Sequence, residues 1–454
     1  MTSINSGLAL ALTDISSFDN GVKSNSAVAQ PDRYRHWDEI PTDTYQISRG
    51  AGLSLSAASF GKDSVSVSHN RFNRILDFDS STGEVEVEAG IRLFDLHNFL
   101  ASQGYFLAIQ PGHGQISVGG CIAADIHGKN QLKDGTFLEQ IISLKLLHPS
   151  HGILELSREL DKEIFFLTCG GYGLTGHIIS ARLKAQLLPN QFVTTRTMSF
   201  SDLNSGLNLL NDNAANSDFI HSWHDFSKPG RKYGSGVLFI SQFGNPEAQS
   251  KDYRKLLAIR PKELGNQHRL PAAEFIVNRS SIKLLNQIYK LSNPTNLQGK
   301  QVNLAKALFP LHRLQSYYYF MGKRGFHEYQ ILLSRNVATE FLTQLGVAAA
   351  ELKVPITLAS GKIFGGDQQL LRFTGEGICF AVNFLRAGRA NELLEWLDRN
   401  LVIFGGKPNL IKDSRLPRSI AEACYPEIDR FRQTLKGFDP KRLFRSEFSD
   451  RLGL

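Results

Sequence analysis

The sequence predicts an α+β protein built from two large domains. The chain has 454 residues, and domains hold roughly 150 residues each, with large single domains common. Up to about residue 188, short strand-type segments alternate with glycine-rich turns. After Pro189 the glycine loops become rare, and strands alternate with amphipathic helices. Hydrophobic residues make up 42% and charged residues 21% of the chain, which excludes a disordered, collagenous or fibrous protein.

The first half contains clear local patterns. Residues 1–40 are polar and predict an irregular arm over the domain that follows. SVSVS at 64–68 and EVEVEAG at 84–90 predict strands, the latter by its period of two. Apolar side chains at helical spacing predict a helix over 91–103, and residues 142–156 predict two strands joined by a Pro-Ser-His-Gly turn.

The second half is predicted to form an α+β domain. Residues 237–243 and 329–334 are typical of strands. Helices are predicted at 283–291, at 339–352 and at 391–406, where Gly-Gly ends the last one.

Charge and targeting signals narrow the partners and the compartment. The net charge of +8 favours an anionic ligand, a nucleic acid or an anionic membrane surface. Four distant cysteines suggest neither a disulfide framework nor a zinc site, so no metal is expected. The apolar stretch 8–12 is too short for a signal peptide, and no run of about 18 apolar residues occurs. We therefore expect a soluble cytoplasmic protein, with peripheral membrane contact left open by its basic charge and 30 Phe.

Glycine-rich segments are the strongest functional signal. GYGLTG at 171–176 matches GxGxxG, but a strand pattern follows it and 177–201 contain no acid to bind a ribose, so a Rossmann site is not supported. Five glycines and several small residues lie within 111–130, and the loop 49–54 has the same character. Tight turns in a β-rich domain would explain each loop alone. Three such loops together favour a large extended cofactor held by backbone N–H groups.

Two polar residues are candidates for chemistry. His127 follows a small apolar run and precedes Gly128, so it is expected at the end of a buried segment facing a cavity, although a structural histidine is the simpler interpretation. Lys412 follows a predicted helix end, and the simpler interpretation there is a solvated lysine paired with Asp413.

These segments resemble the FAD-linked oxidases of the vanillyl-alcohol oxidase and p-cresol methylhydroxylase superfamily, and within it the decaprenylphosphoryl-β-D-ribose 2-oxidase family. The similarity runs from about residue 40 to the C-terminus. It is carried by RGAGLS (49–54), NRILDFDSSTGEVEVEAG (73–90), PGHGQISVGGCIAADIHGKN (111–130), DGTF (134–137), GGYGLTG (170–176), YQ (329–330), KDSR (412–415) and DPKRLFRSEFSDRLGL (439–454).

The resemblance implies the roles of individual residues. It assigns two loops to the FAD pyrophosphate, a segment beneath the flavin, and positions near the adenine and ribose half. The cofactor-binding residues implied are Gly50, Ala51, Gly52, Leu53, Ser54, Gly112, His113, Ser117, Gly119, Gly120, Ala124, His127, Gly128, Asn130, Gly173 and Ile178. The implied catalytic residues are Lys412, His127 and Gln330, and the implied substrate-binding residues are Lys129, Gln330 and Lys412.

The chain departs from the family pattern at several positions. Relatives with covalent flavin place histidine where this chain has Leu53, so non-covalent FAD is implied. The family's SYGD is Ser54-Leu55-Ser56-Ala57 here, and its substrate-facing Asn and Cys correspond to Cys379 and Ala381. The substrate pocket is therefore expected to differ from that of the mycobacterial type.

The implied fold is a two-domain FAD-binding fold with an antiparallel-sheet substrate domain. The expected division is an FAD domain over 1–188 with its N-terminal arm, a substrate domain over 189–404, and a segment 405–454 that returns to the FAD domain. The implied reaction is oxidation of a secondary hydroxyl of a sugar, a polyprenyl-phosphate-linked pentose above all, to its 2-keto form.

The resemblance also implies partners and leaves alternatives. A separate NAD(P)H-dependent short-chain reductase would complete an epimerisation. Lys129, Arg231 and Lys232 are candidates for holding the phosphate. An O2-using sugar-1,4-lactone or alditol oxidase similar to D-arabinono-1,4-lactone oxidase, and an oxidase of a soluble natural-product sugar, stay open. A nucleic-acid-binding role is not expected, because no basic stripe with interleaved aromatics occurs.

Overall fold

A computed structural model describes residues 8–228, 230–244, 273–310 and 315–454. Within these ranges the first half of the chain carries two main sheets. A four-stranded sheet has the order β1-β2-β4-β3, with β1 and β2 antiparallel and β4 parallel to both its neighbours. Its strands are β1 (Leu10–Ser16), β2 (Lys23–Ala29), β3 (Gln46–Arg49) and β4 (Val65–Ser68).

A five-stranded antiparallel sheet follows, in the order β5-β6-β10-β8-β9. Its strands are β5 (Ile75–Asp79), β6 (Glu84–Glu88), β8 (Ile141–His148), β9 (Gly152–Ser157) and β10 (His177–Lys184). The pattern at 84–88 buries Val85 and Val87 completely, as its period of two predicts. The short strands β7 (Tyr105–Phe106) and β11 (Gln186–Leu187) pair with each other.

An eight-stranded antiparallel sheet dominates the second half, in the order β15-β12-β14-β13-β17-β18-β16-β19. Its strands are β12 (Phe192–Phe200), β13 (Phe219–Asp225), β14 (Ser235–Phe243), β15 (Asn296–Asn303), β16 (Phe326–Leu333), β17 (Ile356–Phe364), β18 (Gly377–Leu385) and β19 (Lys407–Pro408). Buried side chains of this sheet and of the helices packed on it form the largest hydrophobic core.

Helices cover the sheets and connect their strands. Those in the first half are α1 (Leu93–Ser102), α2 (Val118–Ala123), α3 (Gln131–Asp134) and α4 (Lys162–Thr168). Those in the second half are α5 (Leu203–Ala214), α6 (Ala273–Ile276), α7 (Arg279–Ser292), α8 (Leu304–Leu308), α9 (Gln315–Phe320), α10 (Arg335–Glu351), α11 (Ala390–Ile403), α12 (Arg418–Cys424), α13 (Ile428–Phe438) and α14 (Glu447–Leu452). Among the described residues, no helix combines the length and apolar character needed to cross a membrane.

The C-terminal segment lies against the first sheet. The backbone N–H of Gln46 donates to Leu443, and that of Glu447 donates to Phe60. Strand β19 of the same segment, however, completes the edge of the eight-stranded sheet. We retain the division at 1–188, 189–404 and 405–454 as a proposal.

The fold class is confirmed as α+β with an antiparallel second sheet, and so are the helices and strands predicted inside the two halves. The prediction of an irregular arm over 1–40 is wrong for its described part, because β1 and β2 form a hairpin there. Val28 and Ala29 are buried where β2 joins β4. Strand β2 was not recognised in the sequence because KSNSAVA consists mostly of small and polar residues with weak strand propensity. Packing stabilises it as a strand. Residues 1–7 of the predicted arm lie outside the described part of the chain.

Candidate active site

A cavity of about 320 Å³ lies where loops of the first half meet one face of the eight-stranded sheet. Its lining contains glycine-rich loops on one side and polar strand residues on the other. Most of the residues implied by the resemblance line it. They are Gly50, Ala51, Gly52, Leu53, Ser54, Gly112, His113, Ser117, Gly119, Gly120, Ala124, His127, Gly173, Ile178, Gln330 and Lys412.

The loop after β3 depends on glycine at two positions. A Cβ on Gly50 would lie 2.1 Å from Ser117 Oγ, so Gly50 lets this loop touch the second glycine loop. Gly52 has φ +68°, a backbone conformation that favours glycine. The backbone of the first loop at Gly50 therefore packs directly against the Ser117 side chain of the second loop.

The second loop leads into α2 through a side-chain cap. Ser117 Oγ accepts a hydrogen bond from the Gly120 N–H at 3.3 Å. Gly119 donates its N–H to Ala89 at 2.7 Å, and a Cβ there would lie 3.0 Å from the Ala89 methyl group. Gly119 therefore packs tightly against Ala89, the residue directly after β6.

Three implied residues lie outside the cavity lining. Asn130 donates from Nδ2 to the carbonyl of Ala108 at 3.0 Å and to Asp134 at 2.6 Å. A Cβ on Gly128 would meet Asn130 Oδ1 at 2.3 Å, so this glycine makes room for the asparagine. Lys129 donates its ammonium to the carbonyl of Ala307. The structure thus does not bring Gly128, Lys129 or Asn130 into the cavity with the others.

One face of three neighbouring strands forms the opposite wall. In the antiparallel register Gln330 of β16 lies opposite Ala381 of β18, which lies opposite Ser360 of β17. Directly opposite residues point to the same face of a sheet. The adjacent rows add Glu328, Leu358, Lys362, Cys379 and Asn383 to the cavity lining.

Lys412 is positioned by a hydrogen-bonded turn at the edge of this wall. Asn409 donates from Nδ2 to Gln330 Oε1 at 2.6 Å, and its carbonyl accepts from the Lys412 N–H at 3.0 Å. The Lys412 ammonium lies 3.0 Å from Glu328 Oε1. The simpler interpretation, a pair with Asp413, is wrong, because Asp413 is paired instead with Arg415.

His127 packs against two aromatic rings, one of which, Phe364, belongs to strand β17. Its ring centroid is 4.7 Å from that of Phe364 and 6.0 Å from that of Phe373. Burial, with the Lys362 ammonium nearby, holds the pKa of His127 well below its usual range, so the ring is neutral at pH 7. Its Nδ1 lies 3.3 Å from the Gly128 carbonyl, which can only accept a hydrogen bond, so Nε2 is left as the acceptor.

Two lysines of the lining, Lys362 and Lys412, bring positive charge to this end of the cavity, and a third, Lys129, lies near Lys362 outside the lining. Lys362 and Lys412 line the cavity, and burial lowers the pKa of Lys362. Burial, together with Lys362, also lowers the pKa of Lys129 to about 7. Cys379 does not offset this charge, because burial raises the pKa of its thiol to about 12.

His69 is a buried polar residue that the sequence analysis missed. It is 3% exposed, lines the cavity beside Gly176 and Ile178, and neither ring nitrogen has a hydrogen-bond partner within the described ranges. Burial lowers its pKa to about 4, so the ring is neutral, with one donor and one acceptor nitrogen. A buried group of this kind is normally hydrogen-bonded. It therefore fits a nucleotide or ribose at this end of the cavity.

The lining fits FAD. Backbone loops free of bulky side chains suit a pyrophosphate, and His69 offers hydrogen bonds for the nucleotide half. Glu328 and Asp125 are the acids of the lining. Glu328 is paired with Lys412, and Asp125 accepts from Thr136 and the Leu138 N–H. Little unpaired negative charge would therefore oppose an anionic cofactor.

Comparisons with known proteins agree with this geometry. Residues 43–157 match the family model described as FAD binding domain, which covers both glycine loops. The chain is 28% identical to decaprenylphosphoryl-β-D-ribose oxidase of Mycolicibacterium smegmatis over 416 residues, which covers 90% of this chain and 89% of that protein. It is 31% identical to L-gulonolactone oxidase of Bos taurus over 411 residues, or 86% of each chain. A shorter match is to L-galactono-1,4-lactone dehydrogenase 2 of Oryza sativa subsp. japonica, with 32% identity over 150 residues. It covers 32% of this chain and 25% of that protein.

Proposed function

We propose, given that this chain belongs to the FAD-linked oxidases of the vanillyl-alcohol oxidase and p-cresol methylhydroxylase superfamily, that its substrate is a sugar carrying a phosphate. As a member of that family it is an FAD-dependent oxidoreductase acting on CH–OH groups. The proposed substrate is a prenyl-phosphate-linked pentose, oxidised at a secondary hydroxyl to its 2-keto form. The relative from Mycolicibacterium smegmatis, which covers nine tenths of this chain, supports that choice.

The observation that carries the proposal is the grouping of Lys412, Gln330 and His127 at one end of the cavity beside Lys362. FAD, when bound, supplies the acceptor for the hydride that leaves the carbinol carbon. The substrate hydroxyl donates a hydrogen bond to His127 Nε2, which receives the proton as the carbonyl forms. Gln330 is fixed by Asn409 and orients the sugar.

Lys412 supplies fixed positive charge to this step. Its ammonium is held at the cavity wall by Glu328, 3.0 Å away, and the Lys412 side chain is 31% exposed. Negative charge that develops on the sugar oxygen is stabilised by such a preorganised cation. Glu328 positions the ammonium of Lys412, and Lys362 is a second lysine in the cavity lining.

The phosphate is proposed to sit near Lys362. Lysine binds phosphate as a point charge, and Lys362 lines the cavity from the row beside Gln330, Ala381 and Ser360. Lys129 lies close enough to interact electrostatically with Lys362, although it does not line the cavity. Arg231 and Lys232 lie in an exposed turn of a different strand connection and are less suited to this role.

The test is the ratio of kcat/KM for a sugar phosphate, or a short prenyl-phosphate sugar, to kcat/KM for the free sugar. We expect a ratio well above one that falls about tenfold or more in Lys362→Met, with free-sugar oxidation changed less. Lys407→Met is the matched control, because Lys407 is a half-buried lysine at the edge of the same sheet and does not line the cavity. Equal efficiency for phosphorylated and free sugars would reject the proposal.

A sugar-lactone oxidase is the second candidate, favoured by the match to bovine L-gulonolactone oxidase over 86% of the chain. Oxygen consumption with free sugar-1,4-lactones separates the two candidates. If the phosphate-linked substrate is correct, we further propose that an NAD(P)H-dependent short-chain reductase consumes the 2-keto product.

A further inference from the structure

One row of the sheet wall presents hydrogen-bond acceptors to the cavity. Glu328 of β16 lies opposite Asn383 of β18 in the antiparallel register, and both residues line the cavity. Leu358 of β17 lies on the other side of Asn383 and completes the row with an apolar side chain. We call Glu328 and Asn383 the acceptor row.

Asn383 has an acceptor atom without a partner. The residue is only 2% exposed, and its Nδ2 donates to Glu328 Oε2 at 3.4 Å. The Glu328 carboxylate is paired with the Lys412 ammonium and can only accept, so the amide nitrogen must face it. Asn383 Oδ1 is buried and has no hydrogen-bond partner among the described residues. Because buried acceptors are normally hydrogen-bonded, Oδ1 indicates a donor that a ligand supplies.

Glu328 can accept more hydrogen bonds than its neighbours provide. The Lys412 ammonium lies 3.0 Å from Oε1, and Asn383 contacts Oε2. A carboxylate has about four acceptor positions, and the Glu328 side chain is 16% exposed. The acceptor row therefore suits a hydroxyl group, which donates, and is unsuited to a phosphate, which is anionic.

Asn383 is held in place by a residue outside the cavity lining. Thr357 Oγ1 donates to the backbone carbonyl of Asn383 at 2.9 Å and lies 3.2 Å from the Tyr317 hydroxyl. Thr357 is the extra residue where the register of β17 against β18 shifts. The position of the free acceptor is thus set by the strand pair before any ligand binds.

The acceptor row and Lys362 lie at opposite ends of the wall. Lys362 pairs with Cys379, which is four residues from Asn383 along β18. At about 3.4 Å per residue the two rows are about 14 Å apart along the strand. Gln330 belongs to the row between them. The wall therefore runs from a cation at one end to uncompensated acceptors at the other.

We propose that Asn383 Oδ1 and the Glu328 carboxylate bind hydroxyl groups of the sugar that are not oxidised, and so fix the direction in which the sugar lies. This inference rests on the proposed function, which places the phosphate near Lys362 and the reacting hydroxyl at Gln330 and His127. The hydroxyl farthest from the phosphate then reaches the acceptor row. For a pentose with its phosphate on C1 this is the 5-hydroxyl. The reversed sugar would bring its phosphate to the Glu328 carboxylate and leave Asn383 Oδ1 without a donor.

The experiment compares kcat/KM for a pentose 1-phosphate with kcat/KM for its 5-deoxy analogue, using the FAD-loaded enzyme. The wild type should prefer the parent sugar by about tenfold or more, because the analogue leaves a buried acceptor unpaired. Asn383→Leu removes the acceptor at similar size and should lower this ratio by about five- to tenfold. Asn383→Ala leaves space instead of filling it and should lower the ratio equally.

Thr357→Val is the matched control. It removes the hydroxyl that holds the Asn383 backbone carbonyl but keeps the Asn383 side chain. Its ratio should equal that of the wild type, even if both rates change.

Three results would overturn the proposal. They are a wild-type ratio near one, equal slowing of both sugars by Asn383→Leu, and weaker FAD binding by the Asn383→Leu apoprotein with an unchanged ratio, which would assign Oδ1 to the cofactor. An enzyme that does not oxidise pentose 1-phosphate would reject the proposed substrate instead. The ratio is then measured with a free sugar-1,4-lactone and the same lactone without its terminal hydroxyl, and the effect of Asn383→Leu on it decides in the same way.

Discussion

Lys412→Met tests whether a fixed cation drives the oxidation. The substitution keeps the length of the side chain and removes its charge, which lies 3.0 Å from Glu328 at the cavity wall. FAD binding should be retained, because both glycine loops are untouched. The rate of substrate oxidation should fall, because no other residue replaces the ammonium at this position.

The expected size of the loss follows from simple electrostatics. Two unit charges about 4 Å apart at an effective dielectric constant of 20 interact by about 4 kcal/mol. Because the Lys412 side chain is 31% exposed, solvent screens part of this interaction energy. A loss of about 2.7 kcal/mol, the lower end of what a preorganised donor supplies, corresponds to about 100-fold in rate.

The assay is anaerobic stopped-flow mixing of enzyme and sugar, followed by the bleaching of flavin absorbance. The double variant Lys412→Met/Glu328→Gln is the internal control, because it also removes the carboxylate left without its partner. If the missing cation matters, the double variant stays slow. A wild-type rate in the single variant, or full recovery in the double variant, would refute the reasoning.

Three further predictions concern the cofactor and the buried lysine. Acid precipitation should release flavin into the supernatant, because Leu53 cannot form the covalent bond made by histidine in relatives; flavin in the pellet would contradict this. His69→Leu should weaken FAD binding to the apoprotein by up to about tenfold in fluorescence titrations. FMN lacks the nucleotide half of FAD, so its binding should stay the same. Equal losses of affinity for both flavins would disprove a nucleotide contact of His69. Burial lowers the pKa of Lys129 from 10.5 to about 7. Between these two pH values the unfolded chain binds more protons than the folded chain. The free energy of unfolding therefore rises with pH across this window. Lys129→Met should raise the midpoint temperature of thermal unfolding at pH 6. It should also make that midpoint rise less steeply between pH 6 and pH 10, and an unchanged pH dependence of the midpoint would contradict the prediction.

The cofactor side of the cavity could be predicted from sequence because its signal is local. Gly50, Gly52 and Gly119 are required by close contacts or a positive φ within short loops, and such requirements are visible as glycine clusters. His69 gave no such signal. It follows an ordinary strand pattern, and only the burial of its ring and the lack of a partner reveal it.

The sheet wall could not be predicted because it depends on strand register. Lys362, Glu328 and Asn383 lie on three different strands, and no short-range pattern shows that β18 pairs with both β16 and β17. A shift of one residue in that register would turn all these side chains to the opposite face. Gln330 was identified only through the family resemblance, Lys412 was first considered as a solvated lysine, and the polar partners Asn409 and Glu328 were missed.

The two sides of the cavity differ in how much their side chains can determine which substrate binds. The glycine loops present mainly backbone atoms to the cavity, so many sequences can share that half of it. The wall presents side chains to the cavity, and its middle row is Gln330, Ala381 and Ser360. Ala381 is the smallest of the three, so it leaves space between two polar groups that a larger side chain would fill. Together with Lys362 in the adjacent row, that space beside a cation is the feature through which we propose that this chain selects a sugar that carries a phosphate.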